Sequence, residues 1–309
     1  RAGQLGLKTI CVEQESNLGG ICLNWGCIPT KALLKNAEQM EFLNDSKKFG
    51  FNIEKFDVDF PAVIKRSRGI ADQMSKGVQY LFKKYKVERV QGRRVLKSKN
   101  EVEVKDKEGK VTDTIKAKNV IIATGARARE IPAIKVDQKN VITYKQALIQ
   151  KEIPKKMIVI GAGAIGVEFA YFYNAFGTEI TIVEMMDRIV PNEDEDISKE
   201  LTRNFKKAKM KIMTGAKVKS AEAKGKGVEV VIENKDGEEE TLKADIALNA
   251  IGVQGNVEDI GLDEIGVEYE KSTIKVDKNL RTNVEGVFAI GDVAGPPWLA
   301  HKASHEGIA

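Results

Sequence analysis

The chain has 309 residues, 42% hydrophobic and 31% charged, which suits a globular protein of two domains and is too apolar for a disordered one. A count of 50 Lys and Arg against 45 Asp and Glu leaves a net charge of +5 spread along the chain, which argues against a nucleic-acid role. No apolar run reaches the ~18 to 20 residues of a membrane span, and three cysteines are too few for a secreted disulfide scaffold, so a reducing compartment fits best.

In chain order, Arg1 to Leu5 read as the last turns of a helix, and Gly6-Leu7-Lys8-Thr9-Ile10-Cys11-Val12-Glu13 as a strand ending in an acid. Next comes Gly19-Gly20-Ile21-Cys22-Leu23-Asn24-Trp25-Gly26-Cys27, followed by a helix through Ala32, Leu33 and Leu34. A helix N-terminus favours the thiolate, the form that attacks a disulfide, so Cys22 and Cys27 read as a switchable pair. Gly19, Gly20 and Gly26 suit the close approach of a planar ligand. Zinc is the rival for close cysteines. A structural zinc site wants four ligands, however, and the other candidates are Cys11 in a strand and His301 and His305 near the C-terminus, so no metal is expected. Cys11 reads as a core residue. Beyond Gly92, Val102 and Val104 begin a strand, Glu108-Gly109 form a turn, and Ala117 to Gly125 form a buried strand ending in Ala123-Thr124-Gly125.

Residues 154 to 184 then read as strand, glycine loop, helix and strand: Met157 to Ile160, Gly161-Ala162-Gly163-Ala164-Ile165-Gly166, Val167 to Phe176, and Glu179 to Glu184. An amphipathic helix is expected with Ile197, Leu201, Phe205 and Ala208 on one face. Gly215 opens a run of alternating strands in which Val228, Val230 and Ile232 point one way, Asp236-Gly237 turns the chain, and Ala244 to Gly252 close the unit. The order repeats that of the first half: Gly6 to Glu13 parallels Gly177 to Glu184, and Gly92 answers Gly215. The first copy carries about 48 extra residues between its acid and that glycine, and both Cys22 and Cys27 lie within them. The first copy's own strand and phosphate loop would fall before Arg1. The fold expected is α/β, a duplicated pair of Rossmann-like modules, each a parallel sheet with a small β-meander, the first carrying an inserted redox-active helix.

A glycine loop between strand and helix lets backbone N–H groups approach a pyrophosphate at the positive end of the helix, while an acid ending the next strand holds the adenosine ribose. Gly161, Gly163, Ile165, Gly166 and Glu184 meet that need, and Glu184 would repel a 2′-phosphate, favouring NAD over NADP. The parallel Glu13 predicts a second adenosine-bearing cofactor in the first module.

The stretch Gly19-Gly20-Ile21-Cys22 to Cys27-Ile28-Pro29-Thr30-Lys31-Ala32-Leu33 resembles the redox-active segment of the pyridine nucleotide-disulfide oxidoreductases. Ala123-Thr124-Gly125, Gly166-Val167-Glu168 and Ala289-Ile290-Gly291-Asp292 match that family in the same order. The resemblance implies an enzyme carrying FAD and NAD. Cys27 would lie against the flavin as the charge-transfer thiolate and Cys22 would exchange with a dithiol substrate. Lys31 would reach the flavin and pair with Glu168 where the nicotinamide stacks. Glu13, Gly20, Thr124, Gly125, Asp292 and the backbone of Trp298, Leu299, Ala300 and His301 would hold FAD, and Val218 and Gly252 would touch NAD. Arg94 stands where the family usually has Gly or Ala beside the flavin adenine.

Within the family, Glu184 points to the dihydrolipoamide dehydrogenases and away from the NADPH-dependent glutathione-type reductases; another disulfide reductase of the family, mercuric or glutathione-like, and a catalytically silent nucleotide-binding fragment are the alternatives. The resemblance further implies an FAD domain from residues 1–141 and 272–309 and an NAD domain from 142–271. The family's dimerisation domain, with its His-Glu base, is expected beyond Ala309. The implied partners are lipoyl groups of 2-oxo-acid dehydrogenase complexes or of the glycine cleavage system, with a homodimer for the intact protein, in bacterial cytoplasm or the mitochondrial matrix.

Overall fold

A computed structural model describes residues 1–309. The chain begins with β1 (Thr9–Glu13), the short helix α1 (Gly20–Asn24), α2 (Cys27–Asn44) and the long α3 (Phe60–Lys84). There follow β2 (Val87–Gln91), β3 (Arg93–Ser98), β4 (Glu101–Lys105), β5 (Val111–Lys116), β6 (Val120–Ile122), β7 (Ala126–Ala128) and β8 (Val141–Ile142). The middle runs α4 (Tyr144–Ala147), β9 (Lys156–Ile160), α5 (Ala164–Ala175), β10 (Glu179–Val183), α6 (Glu195–Lys207) and β11 (Lys211–Met213). Then come β12 (Lys217–Lys224), β13 (Gly227–Glu233), β14 (Glu239–Ala244) and β15 (Ile246–Asn249). The last part holds β16 (Val253–Gly255), α7 (Leu262–Ile265), β17 (Tyr269–Glu270), β18 (Thr273–Ile274), β19 (Val287–Ala289) and α8 (Ala300–Glu306). No helix is long and apolar enough to cross a membrane.

The chain divides into two compact units: residues 1–24, 72–127 and 253–309, and residues 25–71 and 128–252. The expected division put residues 1–141 in the first module. In the structure β8 pairs in parallel with β15, and Ile134 bridges Ala221, so residues 128–141 group with the second unit; residues 25–71 group with it as well, and residues 253–271, expected in the second module, group with the first unit.

In the second unit, β11-β10-β9-β15-β8 form one parallel sheet. Parallel strands buried on both faces require near-continuous apolar runs, and Met157-Ile158-Val159-Ile160 supplies one, each residue at most 3% exposed. One face packs under the β12-β13-β14 meander, where alternation turns Val228, Val230 and Ile232 inward onto Ile158, Ile160, Val183 and Ala247. An aromatic cluster of Phe60, Phe172, Tyr173 and Phe176 packs α5 against the start of α3; Phe172 lies 4.9 Å from Tyr173 and 5.1 Å from Phe176 by ring centroids. Phe172 is fully buried, so Phe172→Ala is expected to lower stability by about 3–5 kcal/mol, measured as a shift of the urea midpoint at unchanged m-value.

The first unit repeats the plan in pieces. β1 pairs in parallel with β2 as β10 does with β11, β6 pairs in parallel with β19, and β3-β4-β5 make the antiparallel meander. Its core gathers Leu96, Val102, Ile122, Val257, Val287 and Ala289. Two details differ from the sequence reading. The Gly92 N–H donates to the Glu13 carbonyl at 3.0 Å, and in the second unit the N–H that donates to the Glu184 carbonyl is that of Ala216, at 2.9 Å. Gly92 therefore answers Ala216, not Gly215, and by the same offset Arg94 answers Val218. In α6 the inward face is Ser198 and Phe205, while Ile197 and Ala208 are exposed. Ser198 is drawn in because its hydroxyl donates to the Ile189 carbonyl at 2.7 Å, a tertiary bond that hydrophobic periodicity does not register.

Candidate functional site: a nucleotide crevice and a redox segment

The glycine loop and the strand-end acid of the second unit lie at the C-terminal ends of its parallel strands, where β9 gives way to Gly161, β10 to Glu184 and β15 to Gly252. Ligands of open α/β sheets bind at such strand ends. Gly161 turns the chain at φ +98°, and a side chain there would meet the Ala250 carbonyl oxygen at 2.5 Å. Gly166 sits so close to the loop that a Cβ would come 1.9 Å from the Gly161 oxygen. These two glycines serve packing. A Cβ on Gly163, which caps α5 in extended conformation, meets nothing within 4 Å, so its surroundings are open at the helix N-terminus where a pyrophosphate would lie. Gly166→Ala is expected to weaken NADH binding about 10- to 100-fold, since overpacking of this kind costs about 1–3 kcal/mol; a fluorescence titration beside a thermal melt measures it.

Glu184 is buried, and its carboxylate is fixed before any ligand arrives. One oxygen accepts from the Ala162 N–H at 2.6 Å, inside the glycine loop, and the other accepts from the Met186 N–H at 2.8 Å. The strand-end acid and the loop are thus tied together. Ile165 is half-buried in the first turn of α5, and Val218 half-buried near the start of β12. This donor and acceptor set fits a dinucleotide with free ribose hydroxyls.

The first unit repeats the acid. Glu13 accepts from the Glu15 N–H at 2.9 Å, the same two-residue step as Glu184 with Met186. Arg94 donates to the Gln14 side chain at 3.0 Å; burial pushes its pKa down while Glu13 works in the opposite direction. Thr124 and Gly125 follow β6. The Thr124 hydroxyl donates to the Asn256 carbonyl at 2.7 Å, and the Asn256 amide donates back to the Thr124 carbonyl at 2.9 Å. Asp292 stands in a 3₁₀ turn after β19, and burial pushes its carboxyl up, opposed by Lys302 and reinforced by Glu306. Glu306 accepts from the Gly291 N–H at 2.7 Å and Lys302 donates to the Gly295 carbonyl at 2.9 Å, so α8 fastens the Gly291-Asp292 turn. Trp298, Leu299, Ala300 and His301 are exposed at the start of that helix. The one glycine loop of the chain is that of Gly161 to Gly166.

Gly20 opens α1 at φ +61°, and Cys22 lies half-buried within that helix, whose Asn24 amide donates to the Leu18 and Gly20 carbonyls, both at 3.1 Å. Cys27 is exposed as the first residue of α2. One turn further, the Lys31 ammonium pairs with the Glu168 carboxylate, joining α2 to α5. Cys11 sits half-buried in β1 opposite Arg89 and outside the hydrophobic core, and burial pushes its thiol up. His301 and His305 lie exposed on α8.

Asn256, Lys302 and Glu306 were not singled out from the sequence. No motif marks them: Asn256 acts on Thr124, far away in the chain, and Lys302 and Glu306 act on backbone groups of the Gly291 to Gly295 turn, which any sequence carries.

The family model described as pyridine nucleotide-disulphide oxidoreductase matches residues 1–307. Dihydrolipoyl dehydrogenase of Rhizobium etli is 44% identical over 322 residues, covering 100% of this chain and 67% of its own length. The mitochondrial dihydrolipoyl dehydrogenase of Schizosaccharomyces pombe is 41% identical, with 100% and 61% covered. Among solved structures, LpdA of Mycobacterium tuberculosis superposes with a TM-score of 0.89 at 25% identity, covering 99% of this chain and 67% of that one. The flavoprotein disulfide reductase RclA of Escherichia coli, at 24% identity, covers 99% and 65% with a TM-score of 0.83, a likeness of fold. The chain thus spans about two thirds of the length of the proteins it matches. With its glycine loop tied to a strand-end acid, its Cys22 to Cys27 segment and a family match running almost from end to end, the chain belongs to the pyridine nucleotide-disulphide oxidoreductase family.

Proposed function

We propose that the protein acts as a dihydrolipoyl dehydrogenase, passing two electrons from a protein-bound dihydrolipoyl group through Cys22 and Cys27 to NAD. The observation that carries this reading is the Lys31–Glu168 pair, which connects the helix begun by Cys27 to the helix begun by the glycine loop. FAD and NAD are the family's cofactors. FAD, when bound, supplies the two-electron relay between the thiols and the nicotinamide.

The chain's own residues do the rest. In the oxidised state Cys22 and Cys27 share a disulfide. A substrate thiolate attacks the Cys22 sulfur, the S–S bond breaks, and Cys27 leaves as a thiolate, favoured by the N-terminus of α2. The second substrate thiol, once deprotonated, attacks the first substrate sulfur, the one bonded to Cys22 in the mixed disulfide, closing the cyclic disulfide and releasing Cys22 as a thiolate. Substrate is oxidised by two electrons and the cysteine pair is reduced by two. Glu13, Thr124, Gly125 and Asp292 bind FAD, with Arg94 beside the adenosine end. The loop that Gly161 and Gly166 pack into place binds NAD at Gly163, with Glu184 accepting from ribose hydroxyls. The partners are the lipoyl groups of 2-oxo-acid dehydrogenase complexes or of the glycine cleavage system, met by a homodimer in the cytoplasm or mitochondrial matrix.

A substrate panel tests the reading on the intact protein loaded with FAD. NADH formation from dihydrolipoamide should exceed that from reduced glutathione by at least about 10³-fold, as expected where positioning of both thiols supplies much of the rate. Equal rates, or preference for NADPH with glutathione disulfide, would assign it to another branch of the family.

A further inference from the structure

Between Asn24 and Cys27 the redox segment has two residues, Trp25 and Gly26. Gly26 has no side chain with which to hold its place, and it precedes α2 in an irregular conformation at φ −147° and ψ −116°. Trp25 is the only side chain in that link able to anchor it. The Arg68 guanidinium lies over the Trp25 ring at 4.4 Å from the centroid, and the Lys145 ammonium at 5.9 Å. One cation comes from α3 and the other from α4, so two elements far apart in the chain converge on one indole. The turn of α3 that carries Arg68 also grips the start of α2. The buried Ser67 hydroxyl donates to the Pro29 carbonyl at 3.0 Å, and Arg66 donates to the Ala32 carbonyl at 3.0 Å and to Asn36 at 2.9 Å. The first turn of α2 is closed in its turn by the Thr30 N–H bonding the Gly26 carbonyl at 3.0 Å.

We propose that Trp25, held by Arg68 and Lys145, is a positioning residue for Cys27, setting how readily that thiol closes a disulfide with Cys22. This rests on the reading of the two cysteines as a redox pair. A disulfide tolerates only a narrow range of Cα separations and dihedral angles, so a link free to wander lowers the probability that the two sulfurs meet. Two cations over one ring resist that wandering. Each such contact, at half-buried depth, shifts an equilibrium about 2- to 30-fold.

The test uses the intact protein with FAD, equilibrated in mixtures of reduced and oxidised dithiothreitol. Closing the protein disulfide releases two protons and delivers two electrons to the dithiothreitol disulfide, whose S–S bond opens. Cys22 and Cys27 are then alkylated and counted by mass spectrometry. Trp25→Leu should shift the equilibrium towards the dithiol by about 3- to 10-fold, Arg68→Gln in the same direction, and Trp25→Phe should recover most of the loss because it keeps an aromatic face. The double variant of Trp25→Leu with Arg68→Gln should go no further than Trp25→Leu alone, since both remove one contact. Equilibria unmoved in Trp25→Leu and Arg68→Gln, or strictly additive shifts, would overturn the positioning role. A wild-type protein whose two cysteines never pair under oxidised dithiothreitol would instead overturn the redox reading on which it rests.

Discussion

In the intact, FAD-loaded protein, Cys22→Ser is expected to abolish oxidation of dihydrolipoamide while leaving a coloured flavoprotein. Cys22 is the sulfur that a substrate thiolate attacks, and serine offers no disulfide bond to break. Loss of the exchanging atom removes the covalent route altogether, so turnover should fall on the order of 10⁴-fold or more. The same variant leaves Cys27 at the N-terminus of α2 with no partner to bond, so its thiolate should persist and give a permanent long-wavelength band with the flavin. Stopped-flow and steady-state assays read the first effect and an absorbance spectrum the second. Full lipoamide turnover in Cys22→Ser would remove Cys22 from the exchanging role, and loss of colour would point to a structural role for its helix.

Glu184→Arg is expected to reverse the nucleotide preference. The carboxylate that would face the ribose hydroxyls is already held by the Ala162 and Met186 N–H groups, so it adds acceptors without the cost of ordering a mobile side chain. Its removal forfeits charge-assisted hydrogen bonds of about 1.5–3 kcal/mol, and the guanidinium that replaces it pairs with a 2′-phosphate. The ratio of kcat/KM for NAD over NADP should therefore fall by at least about 10²-fold. Glu184→Gln, which keeps one acceptor for the backbone, separates the two roles: NAD binding weakened without a gain in NADP is the expected pattern. An unchanged ratio in Glu184→Arg would leave Glu184 as a pin for the glycine loop and nothing more.

Much of the candidate nucleotide site's local geometry was legible because its logic is local. Gly161, Gly163, Gly166 and Glu184 are fixed by spacing along the chain, and the alternation of Val228, Val230 and Ile232 marks a strand buried on one face. The duplication was legible in the same way, through strand-end acids and closing glycines. What periodicity could not give was partnership across the fold. The inward turn of Ser198 follows from a bond to Ile189, the grouping of residues 128–141 from pairing of β8 with β15, and the match of Gly92 to Ala216 from a backbone bond to the acid's carbonyl. The supports of the redox segment, Ser67 and Arg68 on α3 and Lys145 on α4, carry no signature of their own; a serine, an arginine and a lysine become informative only when their partners are seen. Lys31 and Glu168 are the converse case, since their resemblance to a known segment anticipated a pair that the structure then brought together.

The most direct measurement is an anaerobic single-turnover titration of the oxidised, FAD-loaded intact protein with dihydrolipoamide, followed by NAD. One equivalent of dihydrolipoamide should open the Cys22–Cys27 disulfide, seen as two newly alkylated cysteines per chain by mass spectrometry. Addition of NAD should then yield one equivalent of NADH and close the pair again. NADH formed while Cys22 and Cys27 keep the same alkylation state throughout, or no oxidation of dihydrolipoamide at all, would contradict the account.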